Sequence, residues 1–362
     1  MKQYNVAIIG QGRSGRDIHG AYFHSNANGG RFKVVAIAEP LAERRERASV
    51  EYDSTVKIFS DYTDFFAIKD EIDIVVNATP SYLHYPVTKD LLKHGFNVVC
   101  EKPLARKACE VDDLIATAKK SGKLFNIFQQ SRFTPYFQQV KKVIASGVLG
   151  RIVEIDVAFN GFNRRWDWQT LQAFNGGNLL NTGPHPLDQA LNLLDMYDGM
   201  PNVFCHMDRA NTFGDAEDYC KLILTAPGKP LIEVSISSCD MYPSFTYKIH
   251  AEKGGLKGSM TDIEWKYYVD AEAPEQKLIK EPLCKPDGTP SYCGEKLEFH
   301  EEKWNTKDSG AFNNAVDCYY TMIYDNLTDG KEMEICPCQV RQQIAVIEEC
   351  HRQNPLSRIF EF

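Results

Sequence analysis

A glycine-rich turn flanked by apolar runs constrains the fold of this chain more than any other feature. Residues 6–15 read Val-Ala-Ile-Ile-Gly-Gln-Gly-Arg-Ser-Gly, so a strand-like run breaks into a G-x-G-x-x-G turn. A second apolar run at 32–38 ends in Glu39. The order of strand, glycine turn, helix, strand and acid is typical of a βαβ unit that binds a dinucleotide. It predicts a parallel sheet whose ligand lies beyond the carboxyl ends of the strands.

Each residue of the turn has a physical role in such a site. Gly10 permits the tight turn, Gly12 lets the backbone approach a pyrophosphate, and Gly15 lets the following helix pack against the strand. The free N–H groups at the start of that helix face the phosphates, where the helix dipole favours negative charge. We therefore include Arg13 and Ser14, with the three glycines, among the cofactor-binding residues. The alternative for Arg13 is a solvated side chain.

Glu39 indicates which dinucleotide binds. Its carboxylate can accept hydrogen bonds from both ribose hydroxyls of NAD, and it would repel the 2′-phosphate of NADP. NAD is therefore the predicted cofactor. Arg44 and Arg45 follow closely and keep NADP open as the alternative.

Length and charge limit the remaining possibilities. The chain has 362 residues, more than a single hydrophobic core usually serves, which predicts two domains. A formal net charge of −8 argues against nucleic acid and anionic membranes as partners. No apolar stretch approaches the length of a membrane span, and the first residues lead into a strand without room for a signal peptide. We therefore expect a cytoplasmic protein that binds a small molecule.

The 11 cysteines are scattered and odd in number. Without a secretory signal, this pattern indicates buried free thiols in a reducing compartment rather than a disulfide framework. The Cys336-Pro337-Cys338 segment has no second cysteine pair or histidine pattern nearby to complete a zinc site. We therefore predict no bound metal.

The first part of the chain alternates between strand-like and helical patterns. Alternation of this kind predicts an α/β fold with a doubly wound parallel sheet and right-handed crossovers, here a dinucleotide-binding domain over 1–130. The predicted strands are 4–9, 32–38, 73–77, 97–100 and 124–128, and the predicted helices are 14–24, 41–51, 61–67, 84–94 and 108–121.

Beyond residue 130 the pattern changes. Strand-like segments follow one another with few helices between them, separated by Pro-Gly, Tyr-Pro and Gly-Gly turn signals. This indicates a second, α+β domain over 131–362 with a large open, mainly antiparallel sheet. The stretch 271–310 is predicted to be a long surface excursion. The predicted helices are 135–146, 309–326 and 336–353, and the predicted strands are 151–159, 217–226, 231–239, 245–251 and 263–270.

Polar residues follow two neighbouring strands of the predicted parallel sheet. Lys102 comes directly after the fourth strand, where ligands of open α/β sheets bind. Thr79, Pro80 and His84 follow the third strand and face the same crevice. We therefore expect both groups beside the cofactor.

A third polar cluster lies in the second domain. Residues 176–188 read Gly-Gly-Asn-Leu-Leu-Asn-Thr-Gly-Pro-His-Pro-Leu-Asp, a glycine-rich loop that runs into an amphipathic helix. It delivers Asn181 and His185 at the start of that helix. These side chains are candidates for contact with a substrate.

Together these elements resemble the Gfo/Idh/MocA family of nicotinamide-dependent oxidoreductases. The resemblance covers most of the chain and is strongest over 1–195. It implies a Rossmann domain followed by a mixed α/β domain whose open sheet makes oligomer contacts, and hence a homo-oligomer. The motifs that carry it are the N-terminal glycine turn, Glu-Lys-Pro at 101–103, Gln-Ser-Arg-Phe-Thr-Pro at 130–135, Gly-Val-Leu-Gly at 147–150 and the Gly-Gly…Gly-Pro-His element.

The resemblance also implies that Lys102 and His185 flank the substrate hydroxyl beside the nicotinamide. Family members commonly carry Asp where this chain has Asn181, and an amide carries no exchangeable acid proton, so Asn181 can only orient the substrate or its partners. His185 is favoured as the base because its unperturbed pKa is near neutral pH. Lys102 is the alternative, since burial and an oxidised nicotinamide disfavour its charged form.

Asp188 lies one helical turn beyond His185 and is assigned to the substrate site, where it could orient the imidazole. A helix-surface or capping carboxylate is the alternative. For His84, simple capping is the alternative to a cofactor contact. The remaining residues assigned to cofactor binding are Thr79, Pro80, His84, Glu101 and Lys102.

The loop over 163–169 interleaves two tryptophans with arginine, aspartate and glutamine. Aromatic rings that meet C–H faces beside polar groups are typical of a carbohydrate-binding surface, so Arg164, Trp166 and Trp168 are assigned to substrate binding. Tryptophan also packs well as a large apolar side chain. A lid or an oligomer contact is therefore the alternative.

These residues lead to one predicted activity. We expect NAD-dependent transfer of hydride between the nicotinamide and a secondary alcohol of a sugar, cyclitol or glycoside. The motifs at 164–168 and 181–188 resemble those of family members that act at the C3 hydroxyl of glycosides. An inositol or simple aldose dehydrogenase is one alternative. A non-catalytic sugar or dinucleotide sensor is another, although the presence of both Lys102 and His185 counts against it.

Overall fold

The computed structural model describes residues 2–197, 199–306 and 310–360. Two sheets dominate the fold. Sheet A has six parallel strands in the order β3-β2-β1-β4-β5-β6, which is the predicted doubly wound arrangement. The strand order reverses between β1 and β4, so the ligand crevice lies at that point. Its strands are β1 (Tyr4–Ile9), β2 (Phe32–Ala38), β3 (Lys57–Phe59), β4 (Ile74–Asn77), β5 (Asn97–Cys100) and β6 (Phe125–Ile127).

The apolar runs become strands because both faces of sheet A are covered by helices. Val6, Ala7 and Ile8, which are consecutive in β1, are all buried, as expected for an interior parallel strand. Five of the six strands were predicted. The short edge strand β3 was not, because three residues give no readable period.

The helices of this region are α1 (Ala21–His24), α2 (Ala42–Glu51), α3 (His84–Lys93) and α4 (Ala108–Ser121). Two predicted helices take different forms. The helix predicted over 14–24 is a π-helical segment, Arg13–Gly20, that continues into α1. The helix predicted over 61–67 is a 3₁₀ segment, Tyr62–Glu71, which begins where the Asp61 side chain accepts a hydrogen bond from Thr63 N.

Sheet B has eight strands in the order β14-β13-β12-β11-β7-β10-β9-β8. Every pairing is antiparallel except that of β7 with β10, which is parallel. The open, mainly antiparallel sheet was therefore predicted correctly. Its strands are β7 (Ile152–Asn160), β8 (Asn202–Asp208), β9 (Tyr219–Thr225), β10 (Leu231–Ser237), β11 (Tyr247–Ala251), β12 (Gly254–Gly258), β13 (Asp262–Tyr267) and β14 (His300–Asn305).

Three strands of sheet B, β8, β12 and β14, were missed. β12 reads Gly-Gly-Leu-Lys-Gly and β14 reads His-Glu-Glu-Lys-Trp-Asn, compositions that carry little strand signal. Both form because β13 lies between them and supplies the backbone partners. The surface excursion predicted over 271–310 is largely exposed, but its last part is β14. Position 309, the predicted start of a helix, lies outside the described residues.

The last two helices return to sheet A. The remaining α-helices are α5 (Pro135–Ser146), α6 (Asn178–Asn181), α7 (Pro184–Leu194), α8 (Ala311–Asp329) and α9 (Pro337–Gln353). Val316, Tyr319 and Tyr320 of α8 share a core with Tyr4 and Phe32. Short 3₁₀ segments complete the structure at Asn26–Asn28, Ser81–Leu83, Gln130–Phe133, Trp168–Thr170, Gln172–Phe174 and Asp270–Glu272.

The cysteines depart from the expectation of buried free thiols. Cys336 and Cys338 form a disulfide, with Cα atoms 5.4 Å apart, a separation within the range that such bonds require. The other nine are free thiols, but Cys109, Cys284 and Cys318 are among four that are exposed, on helix surfaces or on the excursion. No group of three metal-ligating side chains occurs within the described ranges. Across the same residues, no helix combines the length and apolarity needed to cross a membrane.

Candidate active site

The glycine turn after β1 forms a tight cradle in which two glycines are sterically required. Gly10 has φ +90°, and a Cβ on it would lie 2.5 Å from the carbonyl oxygen of Ala78. A Cβ on Gly15 would lie 1.9 Å from the carbonyl oxygen of Gly10. Gly12 differs, because a Cβ there would meet only the Arg44 Nη1 atom, at 3.4 Å. The space above Gly12 is therefore open, as close approach of a pyrophosphate to the backbone demands.

The start of the following helical segment borders this open space. Arg13 is exposed and Ser14 is half-buried, both in the first turn after Gly12. Helix N-termini present free N–H groups and favour anions. The residues of the turn therefore fit a dinucleotide phosphate.

Glu39 is buried at the end of β2 and held in place by backbone donors. Its carboxylate accepts hydrogen bonds from Gln11 N at 2.6 Å and Leu41 N at 3.0 Å. Arg44 Nη1 lies 3.7 Å from the same carboxylate, and Arg45 donates to the Glu39 carbonyl oxygen at 2.8 Å. Both arginines are thus engaged with Glu39 itself. An anchored acid at this position fits the ribose of NAD.

The loop after β4 is fixed by its own hydrogen bonds. Thr79 N and Oγ1 donate to Asn77 Oδ1 at 3.2 and 2.7 Å. His84 is buried, with its ring nitrogens 2.7 Å from the Pro103 carbonyl oxygen and 2.8 Å from that of Thr79. His84 therefore ties the Thr79-Pro80 loop to the segment after β5. Burial lowers the pKa of His84, and a neutral imidazole donates to only one of the two carbonyl oxygens. These contacts place His84 as a positioning residue for the loop, and its assignment to the cofactor stays a prediction.

Glu101 directly follows β5 and is buried. One carboxylate oxygen lies 3.2 Å from His19 Nε2, and the other accepts a hydrogen bond from Lys102 N at 3.0 Å. Burial acts to raise the pKa of Glu101, but the hydrogen bond and charge of His19 outweigh it and lower that pKa to about 2. Glu101 therefore stays ionised next to Lys102.

The Lys102 side chain contacts the glycine-rich loop over 176–188. Its Nζ donates a hydrogen bond to the carbonyl oxygen of Asn181 at 3.0 Å, and its peptide bond to Pro103 is cis. Burial lowers the pKa of Lys102, Glu101 opposes that shift, and the charges of Arg13 and Arg165 add to it. The amine is thus brought toward its neutral form at the meeting point of the two sheets.

His185 lies in the first turn of α7, close enough to Lys102 to feel its charge. Burial first, and the Lys102 charge second, lower the pKa of His185 to about 3. Its Nδ1 is buried and has no hydrogen-bond partner among the residues that the structure describes. Because buried polar atoms are nearly always paired, an unpaired buried nitrogen marks this ring as a candidate functional group.

A polar chain links Lys102 to the tryptophan loop. The Asn181 side chain accepts a hydrogen bond from Gln169 Nε2 at 3.2 Å. Gln169 in turn accepts one from Arg165, which forms a salt bridge with Asp167 at 2.8 Å. The sequence interpretation did not select Arg165 or Gln169. The only signal for them was their place directly before Trp166 and directly after Trp168.

The assigned substrate residues do not all face one space. Arg164 and Trp166 are exposed on the loop, and Trp168 is 38% exposed. Asp188 is buried, and both of its oxygens pair with the Arg132 guanidinium, which is also buried. The assignment of Asp188 to substrate or to His185 is therefore not supported, because the arginine on the neighbouring segment claims its carboxylate.

Glu217 was not among the site residues predicted from the sequence. It lies beneath the glycine-rich loop. Its carboxylate accepts a hydrogen bond from Leu179 N at 3.0 Å, and its carbonyl oxygen accepts one from Asn178 N at 2.9 Å. Gly177 has φ +108°, and a Cβ on it would lie 2.3 Å from the Glu217 carboxylate. Burial raises the pKa of Glu217 to about 7. No local pattern marks this residue, since its partners are about 40 positions away.

Comparison with known proteins connects this geometry to a family. Residues 4–129 match the family model described as "Oxidoreductase family, NAD-binding Rossmann fold". Residues 137–257 match the model described as "GFO/IDH/MocA C-terminal domain". The two matches together cover sheet A, strands β7 to β11 of sheet B and most of the candidate site.

Curated relatives with several activities are similar to this chain. A 2,7-anhydro-N-acetylneuraminate hydratase from Mediterraneibacter gnavus is 27% identical over 82% of this chain and 78% of its own length. The scyllo-inositol 2-dehydrogenase (NADP(+)) of Bacillus subtilis is 23% identical over 95% and 91%. A D-glucoside 3-dehydrogenase of Escherichia coli is 31% identical over 55% of each chain.

Solved structures share the fold. An oxidoreductase from Agrobacterium radiobacter, crystallised with NAD+, L-tartaric acid and magnesium, superposes with a TM-score of 0.73 over 98% of this chain and 97% of its own, at 16% identity. An NAD-binding protein from Listeria innocua superposes with a TM-score of 0.78 over 98% and 97%, at 21% identity.

Proposed function

The chain belongs to the Gfo/Idh/MocA family of NAD-binding oxidoreductases, and from that premise we propose that it transfers hydride between NAD and a secondary alcohol of a sugar or glycoside. The observation that carries the proposal is the meeting of Lys102 and His185. Lys102 follows β5 of sheet A, and its Nζ donates to the carbonyl oxygen of Asn181. Asn181 is four residues before His185, whose pKa is lowered in part by the Lys102 charge.

The glycine turn and Glu39 would hold NAD, which would supply the hydride acceptor for the carbinol carbon, and the protein would supply proton transfer and orientation. A base works best when its pKa is near the working pH. Burial takes the pKa of His185 well below that range and brings the pKa of Lys102 down toward it. We therefore assign the base role to Lys102, and we assign to His185 a hydrogen bond to the same oxygen. This reverses the preference drawn from the unperturbed pKa of histidine.

The finer proposal is oxidation at C3 of a glycoside. It is supported by the similarity to the D-glucoside 3-dehydrogenase and by the polar loop beside the site, where Arg164, Trp166 and Trp168 would contact the sugar. An inositol dehydrogenase is the second candidate, supported by the scyllo-inositol relative, which aligns over most of this chain. We also propose a homo-oligomer formed through the open face of sheet B.

The test is oxidation of a panel of methyl glycosides, free sugars and inositols with NAD. NADH formation would be followed by absorbance and keto product by mass spectrometry, because a retained cofactor releases no NADH. Oxidation of at least one glycoside at C3 supports the proposal. Binding of a glycoside without any oxidised product contradicts it and favours a sensor.

The base assignment has its own control. Lys102→Ala is expected to remove turnover, whereas Lys107→Ala, an exposed lysine at the start of α4, is expected to leave it unchanged. Wild-type kcat/KM should fall as pH drops through the lowered Lys102 pKa, because the protonated amine cannot accept a proton. A flat profile, with Lys102→Ala still active, would contradict the assignment.

A further inference from the structure

Three loops lie at the end of sheet B that adjoins the candidate site. β7 and β10 are parallel, so their carboxyl ends lie on the same side of the sheet, and β9, which is antiparallel to β10, begins on that side. The loops on that side are 161–170, 209–218 and 238–246. Asn178 of the glycine-rich loop donates to Asp218 O at 2.7 Å and to Ser238 Oγ at 2.9 Å, so this end of the sheet adjoins the catalytic loop.

The three loops expose large apolar side chains. The set, termed here the aromatic rim, comprises Phe162 at 47% exposure, Trp166 at 80%, Phe213 at 77%, Met241 at 62% and Tyr242 at 91%. Water-exposed apolar area is unfavourable by about 25 cal/mol per Å² relative to burial. Single exposed side chains are ordinary, but a group of five around one site indicates a binding surface.

The rim is held in place by its backbone. The Asp218 carboxylate accepts hydrogen bonds from the N–H groups of Ala210, Asn211 and Thr212, at 2.9, 2.7 and 2.6 Å. Phe213 N donates to Arg165 O at 3.2 Å. These bonds fix the Phe213 loop against the Trp166 loop. A preorganised surface loses less entropy when a ligand binds.

The rim is continuous with the reacting groups. Trp166 follows Arg165, whose guanidinium holds Gln169, and Gln169 holds Asn181. Asn181 receives the hydrogen bond from Lys102. The rim and Lys102 therefore belong to one hydrogen-bonded set of residues, which a substrate larger than a single sugar ring would be able to span.

We propose that the aromatic rim is a subsite for an apolar, ring-shaped aglycone, so that the preferred substrate is an aryl glycoside rather than a free sugar. This proposal rests on the proposed function. Phe162, Phe213 and Met241 carry no side-chain hydrogen-bonding group of the kind that a second sugar would need. They can desolvate an aromatic ring and stack against it.

The test compares phenyl and methyl glucosides of the same anomer, for both anomers. Wild-type kcat/KM is expected to favour the phenyl substrate by about tenfold, the order of effect that one apolar contact surface gives. Phe213→Ala and Tyr242→Ala are expected to reduce that ratio severalfold. Phe312→Ala, an exposed phenylalanine on α8 that lies outside the rim, is the control and should leave the ratio unchanged.

A phenyl-to-methyl ratio near one in the wild type, or a ratio that the rim variants do not alter, overturns the subsite. If neither the methyl nor the phenyl glucosides are oxidised, the proposed function fails for this class of substrate, and binding then decides the subsite alone. Phenyl glucoside should quench Trp166 fluorescence, with weaker binding in Phe213→Ala and no matching signal in Trp166→Ala. A loss of oligomer mass in Phe213→Ala would instead identify the rim as a contact between copies and overturn the proposal.

Discussion

The two halves of the site are built by different physics. The cofactor cradle at the end of β1 depends on close backbone packing that excludes side chains, since a single added carbon at Gly10 or Gly15 would collide with backbone atoms. The substrate side is fixed by polar side chains from distant parts of the chain, among them Glu217 beneath the glycine-rich loop and Gln169 beside Asn181. Steric requirements leave a local mark in a sequence, whereas long-range hydrogen bonds do not.

The largest expected effect separates a glycine of the cradle from a glycine of the substrate side. Gly15→Ala should destabilise the fold by about 4 kcal/mol, because backbone atoms must move to admit the new carbon. Gly161→Ala has nothing within 4 Å of its Cβ position and should change stability by no more than about 0.5 kcal/mol. Chemical denaturation measures both. Equal effects would remove the distinction between the two halves.

The next test concerns the buried ion pair under α7. Asp188→Ala leaves the Arg132 guanidinium buried without its partner and should reduce unfolding free energy by about 3 to 4 kcal/mol. Asp167→Ala breaks the exposed pair with Arg165, whose side chains are 29% and 44% accessible, and should change stability by less than about 1 kcal/mol. A small effect of Asp188→Ala would mean that α7 is held by apolar packing alone.

Glu217 makes the substrate side pH-dependent. Its folded pKa is raised from 4.5 to about 7, so the folded state binds this proton more tightly than the unfolded state. The stability from this group is present below about pH 4.5 and is lost as the pH rises through about 7, a change of about 3 kcal/mol. Glu217→Gln should flatten this part of the curve of unfolding free energy against pH. An unchanged curve would contradict the raised pKa.

The smallest effect distinguishes Gly12 from its neighbours in the cradle. Gly12→Ala has room for its Cβ, so stability should change by less than about 1 kcal/mol. The same carbon occupies the open space above the turn and should weaken NAD binding by about tenfold, because the phosphates can no longer approach the backbone. Calorimetric titration with NAD measures this. Unchanged affinity would place the pyrophosphate elsewhere.

The difference between the halves also explains how far the sequence could be read. Gly10, Gly15 and Glu39 were identified from local order, because turn geometry and the end of β2 lie within 35 residues. The open sheet B was recognised from its run of strands, but β12 and β14 were missed because their pairing with β13, not their own composition, makes them strands. The domain boundary predicted at residue 130 stays a prediction.

Side-chain roles were harder to predict than elements. Asp188 was placed with the substrate from its helical spacing to His185, yet its partner is Arg132, 56 positions away. His84 was interpreted as a cofactor contact, and its ring nitrogens lie beside two backbone carbonyl oxygens. Burial lowers the pKa of His185 from the value that made it the first choice of base. Each difference arises from burial or a distant partner, neither of which one sequence displays, and the assignments of these residues stay predictions.

The central claim is that the Lys102 amine and the His185 imidazole act on the same substrate hydroxyl. The most direct test is kcat/KM for oxidation of a glycoside by Lys102→Ala, His185→Ala and the double variant. Groups that act as one unit give non-additive losses, so each single variant should lose at least about a hundredfold and the double variant little more than the larger single loss. Losses that multiply, or a single variant with full activity, would show that the two side chains do not share one hydroxyl.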